Sequence, residues 1–139
     1  MGAVEPTPER FQDFLKAPDA TPLVMINLLR YRERAAYPPG SDAEPCSGRE
    51  AYQRYAEVAL RTVTEAGGRP LWLGEVASTL IAPAGEAWDD AILVEYPSRQ
   101  AFLDMIARPD YQAASVHRSA ALADSRLVAT CSRLDRLGS

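Results

Sequence analysis

The amino-acid sequence predicts an α+β fold in which a four-stranded antiparallel sheet carries its helices on one face. The predicted elements follow the order helix, then β-α-β-β-α-α-β. This order contains two βαβ units that share one sheet, and such a split pair arranges neighbouring strands antiparallel. The 139 residues suffice for one domain with a substantial core and are too few for two, so we expect a single domain over 1–139.

The first half of the chain combines a helix, a buried strand and a long loop. A helix is predicted over 7–17, because Thr7 is a suitable N-cap and a proline follows it in the first turn. The run 23–29 is apolar except for Asn27, which is typical of a buried strand. The loop 33–48 is longer than a simple connection requires. We expect it to be a lid over a pocket, an arm that contacts a partner, or disordered, rather than part of the core.

In the second half, prolines and glycines separate each element from the next. The clearest helix spans 49–66, where apolar residues repeat at helical spacing and two glycines supply its end. Several strands carry Leu, Val, Ile or Trp at both odd and even positions, so both faces of the sheet are apolar and need to be covered. We therefore expect a homodimer. The remaining predicted elements are strands over 70–81 and 87–96, a helix capped by Ser98, a helix over 110–123 after Pro109, and a last strand over 125–132.

The composition argues against several classes of function. The net charge is −4 and the basic residues are not clustered, so nucleic acid is not an expected partner. The N-terminus has no apolar signal region, and no run approaches the roughly 18 apolar residues of a membrane span. The two cysteines, Cys46 and Cys131, form no CxxC pair, and we interpret both as free thiols of a cytoplasmic protein.

The sequence also gives no support for a cofactor. It contains one histidine and no cluster of cysteines, so a protein-ligated zinc ion is not expected. It contains no GxGxxG, P-loop or GxSxG motif, so neither a nucleotide cofactor nor a nucleophile elbow has support. We therefore expect neither a metal nor a cofactor.

The best indication of function is one arginine in the helix predicted over 110–123. At about 100° per residue, Arg118 falls near the centre of an otherwise apolar stripe of this helix. An arginine stays charged in a protein, so a buried one requires a carboxylate, a ring of acceptors or an anionic ligand. Two interpretations are therefore open: Arg118 holds a carboxylate, enolate or phenolate of a substrate, or it forms an internal ion pair. The carboxylates considered for that pair are Asp124, Glu95 and Glu75.

Two residues are candidates for moving a proton. His117, the only histidine, lies at the edge of the same stripe and titrates near neutrality. A lone histidine in such a position is more often a surface or dimer contact. Glu75, in the strand predicted over 70–81, would act as a general base if burial raised its pKa. The alternative for Glu75 is a solvent-facing position at the edge of the sheet.

The candidate substrate-binding residues are polar or aromatic. Asn27 is the single polar residue of the first buried strand, so its amide requires the backbone or a ligand as a partner. Tyr31 and Tyr111 can donate hydrogen bonds to a ligand oxygen, as Tyr52 and Tyr55 can, although the helical spacing of the latter two favours core packing.

The two tryptophans complete the candidate set. Trp88 begins the strand predicted over 87–96 and can form the wall of a pocket for a flat ligand, with simple packing as the alternative. Trp72 lies on the opposite face of its strand from Glu75 and is a second aromatic candidate for substrate binding.

The segment from Trp88 onward carries a resemblance to a known family. Its pattern is WDxxxLVEYPS, then AF, then Pro109-Asp110-Tyr111, then Arg118 followed by AALADSRL. This pattern resembles a bacterial family of small proteins of unknown function within the dimeric α/β-barrel superfamily, whose protomer is ferredoxin-like. The resemblance implies a homodimer that packs sheet on sheet, with one small-molecule pocket in each protomer. Relatives in that superfamily include cofactor-free quinone-forming monooxygenases, muconolactone-type isomerases, haem-degrading enzymes and small lyases.

Together these features predict a small-molecule enzyme that acts without a nucleotide cofactor on an oxygenated, anionic organic metabolite. The expected chemistry is proton transfer of the isomerase, cyclase or lyase type, or cofactor-free monooxygenation. Arg118 would hold negative charge, Asn27 would polarise an oxygen, and Glu75 or His117 would move the proton. The alternative is a non-catalytic protein that binds or senses such a metabolite.

Overall fold

The computed structural model describes residues 2–18, 21–133 and 137 of the chain. Within these residues, helices and strands alternate in the predicted order. Each helix start is specified locally. Thr7 and Ser98 cap the helices that begin at Pro8 and Arg99, and Ser47 forms a capping box with Glu50 in the helix that begins at Gly48. Pro109 opens the last helix. The elements are α1 Pro8–Lys16, β1 Leu23–Tyr31, α2 Gly48–Glu65, β2 Arg69–Glu75, β3 Asp90–Tyr96, α3 Arg99–Ile106, α4 Pro109–Ala121 and β4 Leu122–Cys131.

The four strands form one sheet in the order β2-β3-β1-β4, and each neighbouring pair is antiparallel. The α+β prediction and the split βαβ arrangement are therefore confirmed. In the central strand β1, Asn27 is in register with Ile92 of β3 and with Leu127 of β4. Strands β2 and β4 lie at the two edges of the sheet.

Helices cover one face of the sheet through two separate clusters of buried side chains. In the first cluster, Leu23 and Met25 of β1 pack with Val63 of α2 and Met105 of α3. In the second, Leu29 packs with residues of α2 and α4. Alternation along β1 places Asn27 between the two clusters on the same face. The middle of the helix-covered face is therefore the place where the apolar core is interrupted.

The opposite face, which we call the open face, is apolar and has no helix over it. Two of its side chains are about half exposed, Trp72 at 54% and Val128 at 50%. By strand register and alternation, the open face comprises Val24, Ile26 and Leu28 of β1, Leu93 of β3, Trp72 of β2 and Val128 of β4.

Two predicted strand boundaries around the β2–β3 connection are wrong. The strand predicted over 70–81 ends at Glu75, because only Val76 continues the pairing, through its N–H to the Asp89 carbonyl oxygen. The strand predicted from residue 87 begins at Asp90. The intervening residues 76–89 leave the sheet as an irregular segment, which we call the arm.

The predicted boundary between the last helix and the last strand is also wrong. Strand β4 begins at Leu122, immediately after α4, so Asp124 and Ser125 lie inside the strand and not in a turn before it. The backbone N–H of Arg32 donates to the Ala121 carbonyl oxygen at 2.8 Å. A neighbouring segment therefore provides a hydrogen-bond donor for a carbonyl oxygen at the end of α4. The chain passes from α4 into β4 without a connecting loop.

The long loop that follows β1 is ordered and packs on the helices. The N–H of Ala35 donates to the Cys46 carbonyl oxygen at 2.9 Å, and that of Ala36 donates to the Ala120 carbonyl oxygen at 2.8 Å. Cys46 is buried within the second cluster. The expectation that the loop 33–48 contributes nothing to the core is therefore wrong for its C-terminal end.

We predict that Gly48→Ala destabilises the fold by about 2–3 kcal/mol. A Cβ at Gly48 would overlap the carbonyl oxygens of Arg32 and Ala121, and backbone atoms cannot move aside as a flexible side chain can. Gln53→Ala, at an exposed position of α2, is the matched control and should change stability by less than about 0.5 kcal/mol. Chemical unfolding measures both, and equal stabilities would contradict the close packing at Gly48.

Candidate functional site

Arg118 projects from α4 and is half-buried. Its guanidinium Nη1 donates to the Val4 carbonyl oxygen at 2.7 Å. In the part of the chain that the structure describes, no carboxylate lies within ion-pair distance of it. Asp124 instead pairs with Arg126 at 2.8 Å and Glu95 with Arg69 at 3.2 Å, while Glu75 is exposed. The internal ion pair considered for Arg118 is thus not formed in the described chain.

The carbonyl that meets Arg118 belongs to an N-terminal segment, residues 2–5, which lies along α4 and β4. The Ala3 N–H donates to Asp124 Oδ1 at 2.9 Å, and Ser125 Oγ donates to the Ala3 carbonyl oxygen at 2.6 Å. Ser119 Oγ donates to Glu5 Oε1 at 2.9 Å. Side chains therefore hold this segment, which does not belong to the sheet.

Four tyrosines form a continuous series between the sheet and the two long helices. Tyr31 of β1 contacts Tyr52 of α2 with a ring-centroid distance of 5.5 Å, and Tyr52 contacts Tyr55 at 5.2 Å. Tyr55 contacts Tyr111 of α4 at 5.8 Å, and their hydroxyl oxygens are 2.8 Å apart. We call these four residues the tyrosine cluster; it bridges the two buried apolar clusters.

Two members of the tyrosine cluster, Tyr52 and Tyr55, lie close enough to Arg118 to feel its positive charge. Burial raises the pKa of Tyr52 to about 12, and the nearby guanidinium of Arg118 partly opposes that effect. Burial likewise raises the pKa of Tyr55 well above its usual range, again opposed by Arg118. These hydroxyls remain protonated at neutral pH and can donate hydrogen bonds. The hydroxyl of Tyr52 has no hydrogen-bonding partner among the described residues.

A cation and neutral donors that lack a facing carboxylate make a site suited to negative charge. A half-buried guanidinium is costly unless it is paired, and one carbonyl oxygen accepts only one of its five N–H groups. Of the sequence candidates, the structure brings Arg118, Tyr111 and Tyr31 into this region. The helical spacing of Tyr52 and Tyr55 predicts mainly packing, although the same spacing places both residues on one helix face.

His117 lies beside Arg118 in sequence but faces the long loop. Its Nδ1 is 2.7 Å from the Tyr37 hydroxyl, to which Arg54 Nη1 donates at 3.0 Å. Because Arg54 donates to the hydroxyl oxygen, the Tyr37 proton is available for an unprotonated Nδ1. Burial, and then the charge of Arg54, lower the pKa of His117. Neither Tyr37 nor Arg54 was singled out from the sequence, because the contact joins segments that are distant along the chain.

Tyr31 ends the tyrosine cluster at a polar corner of the sheet. Its hydroxyl donates to Asp90 Oδ2 at 2.7 Å, and its backbone N–H donates to Asp89 Oδ2 at 2.8 Å. The Arg49 guanidinium lies over the Tyr31 ring and is 3.4 Å from Asp90. Burial, and then the hydrogen bond to Asp90, raise the pKa of Tyr31. The carboxylate at this corner is therefore already paired.

The remaining candidates do not join Arg118. Asn27 donates through Nδ2 to the carbonyl oxygens of Met25 and Ile92 at 3.5 and 3.4 Å, so the backbone provides its partners. Trp72 lies on the open face. Trp88 is buried beside Glu86 and Arg126, with the Arg126 guanidinium 4.9 Å from its ring.

Glu75 ends the edge strand β2, where it is opposite Asp90 and exposed. Its exposure matches the solvent-facing alternative and not a buried general base. Across residues 2–18, 21–133 and 137, no three His, Cys, Asp or Glu side chains are grouped so that they could hold a metal ion. No helix in the described ranges is long and apolar enough to span a membrane.

We predict that acidification weakens the contact between His117 and Tyr37. Because folding lowers the pKa of His117, the unfolded chain binds the proton more tightly, and stability falls as the pH drops from about 7.5 to about 5.5. In thermal melts, wild type should lose more stability over this range than His117→Asn, which cannot titrate. Equal pH dependence of the two proteins would contradict the prediction.

The comparisons with known proteins place this geometry in a family. Two crystal structures of the Rhodopseudomonas palustris protein RPA0582, described in one case as methylated and in the other as of unknown function, are each 38% identical in sequence to this chain. Their TM-scores are 0.89 and 0.87, and the alignments cover 99% and 96% of this chain and 98% of each RPA0582 chain.

More distant structures share the fold. A Bacteroides fragilis protein of unknown function, described as dimeric with a ferredoxin-like fold, has a TM-score of 0.51 and 15% identity, with 80% of this chain and 96% of that chain covered. The predicted ferredoxin-like fold is thereby confirmed. No curated protein matches this chain in sequence. The family model for a domain of unknown function, DUF1330, matches residues 46–131, and the resemblance seen in the sequence is confirmed: the chain belongs to the DUF1330 family.

Proposed function

We propose that the protein binds an oxygenated, anionic small organic molecule between α2 and α4, at Arg118 and the tyrosine cluster. The observation that carries this proposal is the half-buried Arg118 guanidinium, which faces neutral tyrosines and donates to one backbone carbonyl oxygen. A ligand carboxylate or enolate would supply the negative charge that the described protein does not place there. The unpartnered Tyr52 hydroxyl would donate to a second ligand oxygen.

The surrounding rings favour a flat ligand. The four tyrosines contact one another at ring-centroid distances of 5.2–5.8 Å, so a ligand would pack on the outside of this cluster, and an aromatic or conjugated molecule packs well against such rings. The carbonyl oxygen of Val4 occupies one donor of Arg118, so the ligand would bind the remaining guanidinium donors or displace the N-terminal segment locally.

We expect Arg118→Met to weaken the binding of anionic probes by about 1.5–3 kcal/mol, the scale of a hydrogen bond to a charged group. Benzoate and phenylpyruvate are suitable probes because each combines a flat aromatic ring with a carboxylate, and benzamide is the neutral counterpart of benzoate. Titrations followed by nuclear magnetic resonance measure the affinities. Arg10→Met, at an exposed position of α1, is the matched control and should bind as wild type does.

The folded stability of Arg118→Met distinguishes a ligand site from a structural ion pair. No described carboxylate pairs with Arg118, so the variant should remain within about 1 kcal/mol of wild type. A loss of about 3–5 kcal/mol, as expected when a buried ion pair is broken, would contradict the proposal. Unchanged affinity for benzoate and phenylpyruvate would contradict it as well.

A second candidate function is cofactor-free proton transfer on the bound molecule. It is favoured by the lowered pKa of His117, since a neutral imidazole is a proton acceptor at neutral pH, and by its place one residue before Arg118 on α4. Once the Tyr37 hydroxyl releases Nδ1, His117 would take a proton from a carbon adjacent to a carbonyl group, Arg118 would stabilise the enolate, and the proton would return to the product. Glu75 is less suited because it is exposed at the sheet edge.

Phenylpyruvate also tests this second function, because its benzylic protons exchange with deuterium through the enol. Wild type should accelerate deuterium incorporation, whereas His117→Asn should lose that acceleration and still bind phenylpyruvate. Gln112→Asn, at an exposed position of α4, serves as the control. If wild type binds phenylpyruvate without accelerating exchange, the protein does not catalyse proton transfer on this probe, and binding is the function that the site supports.

We also propose that the protein is a homodimer that packs its open face on the open face of a second copy. The apolar side chains there would otherwise stay in water, and monomers seldom leave so large an apolar surface exposed. In such a dimer the helices lie outside, and each protomer keeps its own Arg118 and tyrosine cluster.

A further inference from the structure

The arm is the most exposed apolar feature of the chain. At its tip, the side chains of Leu80 and Ile81 are 92% and 91% exposed, so they contact almost nothing in their own protomer. Residues 76–85 of the arm contain no charged side chain. Two adjacent aliphatic side chains in water, on an uncharged segment, are typical of the centre of a protein interface.

The base of the arm is firmly held, so its tip has a defined position. Glu86 accepts hydrogen bonds from Trp88 Nε1 at 3.3 Å and from Arg126 Nη2 at 3.4 Å. The Arg126 guanidinium also stacks on the Trp88 ring. The Asp89 N–H donates to the Leu29 carbonyl oxygen at 2.7 Å. The returning limb of the arm is therefore fastened to β1 and β4.

The opposite edge of the sheet exposes a second apolar strip. Leu127 of β4 faces the helix side of the sheet, because it is in register with Asn27, yet it is 48% exposed. Ala129, two residues further along the same face, is also exposed. The helices therefore leave the helix side of the edge strand β4 uncovered next to Asn27.

We propose that the arm of each protomer packs its Leu80 and Ile81 against the helix side of β4, at Leu127, in a second copy of this chain. This inference rests on the proposed homodimer and deepens the proposed function. When two sheets pack face to face about a two-fold axis parallel to their strands, the β2 edge of each lies over the β4 edge of the other. The arm, which leaves the sheet at the end of β2 and holds its tip away from its own protomer, then reaches around that β4 edge.

The exposed apolar area supports a second copy as the occupant. The side chains of both edges are 42–92% exposed, and together they offer on the order of several hundred Å², against about 800 Å² per partner in a standard interface. Two charged side chains at these edges are paired within the protomer, Arg126 with Glu86 and Arg69 with Glu95. An uncharged apolar segment fits this surface, and the tip of the arm is such a segment. The side chains counted here are Leu71, Trp72, Leu73, Leu80, Ile81, Leu127 and Val128.

This arrangement also covers the sheet next to the tyrosine cluster. Leu127 and Asn27 share one row across the sheet, and that row lies between the two buried clusters that the tyrosine cluster bridges. An arm seated at Leu127 would cover the β4 side of this region and exclude water from it. Arg118 and the tyrosines would still come from one protomer, and the arm of the other protomer would shield this side of the sheet.

The test joins single cysteines on two separately prepared proteins, both carrying Cys46→Ala and Cys131→Ala. Ile81→Cys protein is mixed with Leu127→Cys protein and oxidised, so any disulfide between the two residues must link two chains. A disulfide requires Cβ atoms within about 4.5 Å, and we expect a covalent heterodimer on a non-reducing gel. Leu60→Cys, at an exposed position of α2, replaces Ile81→Cys in the control and should not crosslink.

A second measurement uses the same arm without cysteines. Leu80→Ser combined with Ile81→Ser should raise the dissociation constant of the dimer on the order of tenfold or more in analytical ultracentrifugation, while Leu60→Ser should leave it unchanged. A wild-type mass of 15.2 kDa would overturn both the dimer and the arm contact and leave the Arg118 site to its own test. A stable dimer without the Ile81–Leu127 crosslink, and with wild-type affinity in the serine variant, would overturn the arm contact alone.

Discussion

The burial of one face of β1 beneath the helices is the constraint on which the rest of the structure depends. β1 is hydrogen-bonded to β3 on one side and to β4 on the other, so its register sets the position of both neighbours. Leu23 and Met25 anchor one apolar cluster, and Leu29 anchors the other. Asn27 interrupts the apolar row between them, and its side-chain amide donates hydrogen bonds to backbone carbonyl oxygens. The gap in the apolar core therefore lies at the middle of the sheet, where the tyrosines lie.

Charge is distributed unevenly between the surface and this interior region. At the surface, Arg108 pairs with Glu65 and Asp110, and its guanidinium lowers the pKa of Asp110 to about 2. Such exposed pairs contribute little to stability. Arg118 differs because it meets a backbone carbonyl oxygen in place of a carboxylate and lies near protonated tyrosines. A bound anion would stabilise a cation in that setting, and this stabilisation is the physical basis of the proposed binding function.

The candidate site could be predicted in part. Periodicity on the last helix identified Arg118 and Tyr111 as inward-facing, because the direction of a side chain follows from 3.6 residues per turn. The partners of Arg118 could not be predicted, since Val4 lies more than a hundred residues away along the chain. The same reason explains why Tyr37 was not recognised as the partner of His117. Whether a carboxylate such as Glu75 is buried depends on which strands form the edges of the sheet, which local pattern does not encode.

The sequence by itself determined the order and type of the elements, because caps, prolines and hydrophobic periodicity act over a few residues. It also determined that both faces of the sheet are apolar. Only the tertiary structure decided where β2 ends, since residues 70–81 are uniformly suitable for a strand and pairing with β3 stops at the arm. It alone decided that Arg118 lacks an ion-pair partner in the described chain, because electrostatic partners are set by the packing of distant segments and not by neighbours in sequence.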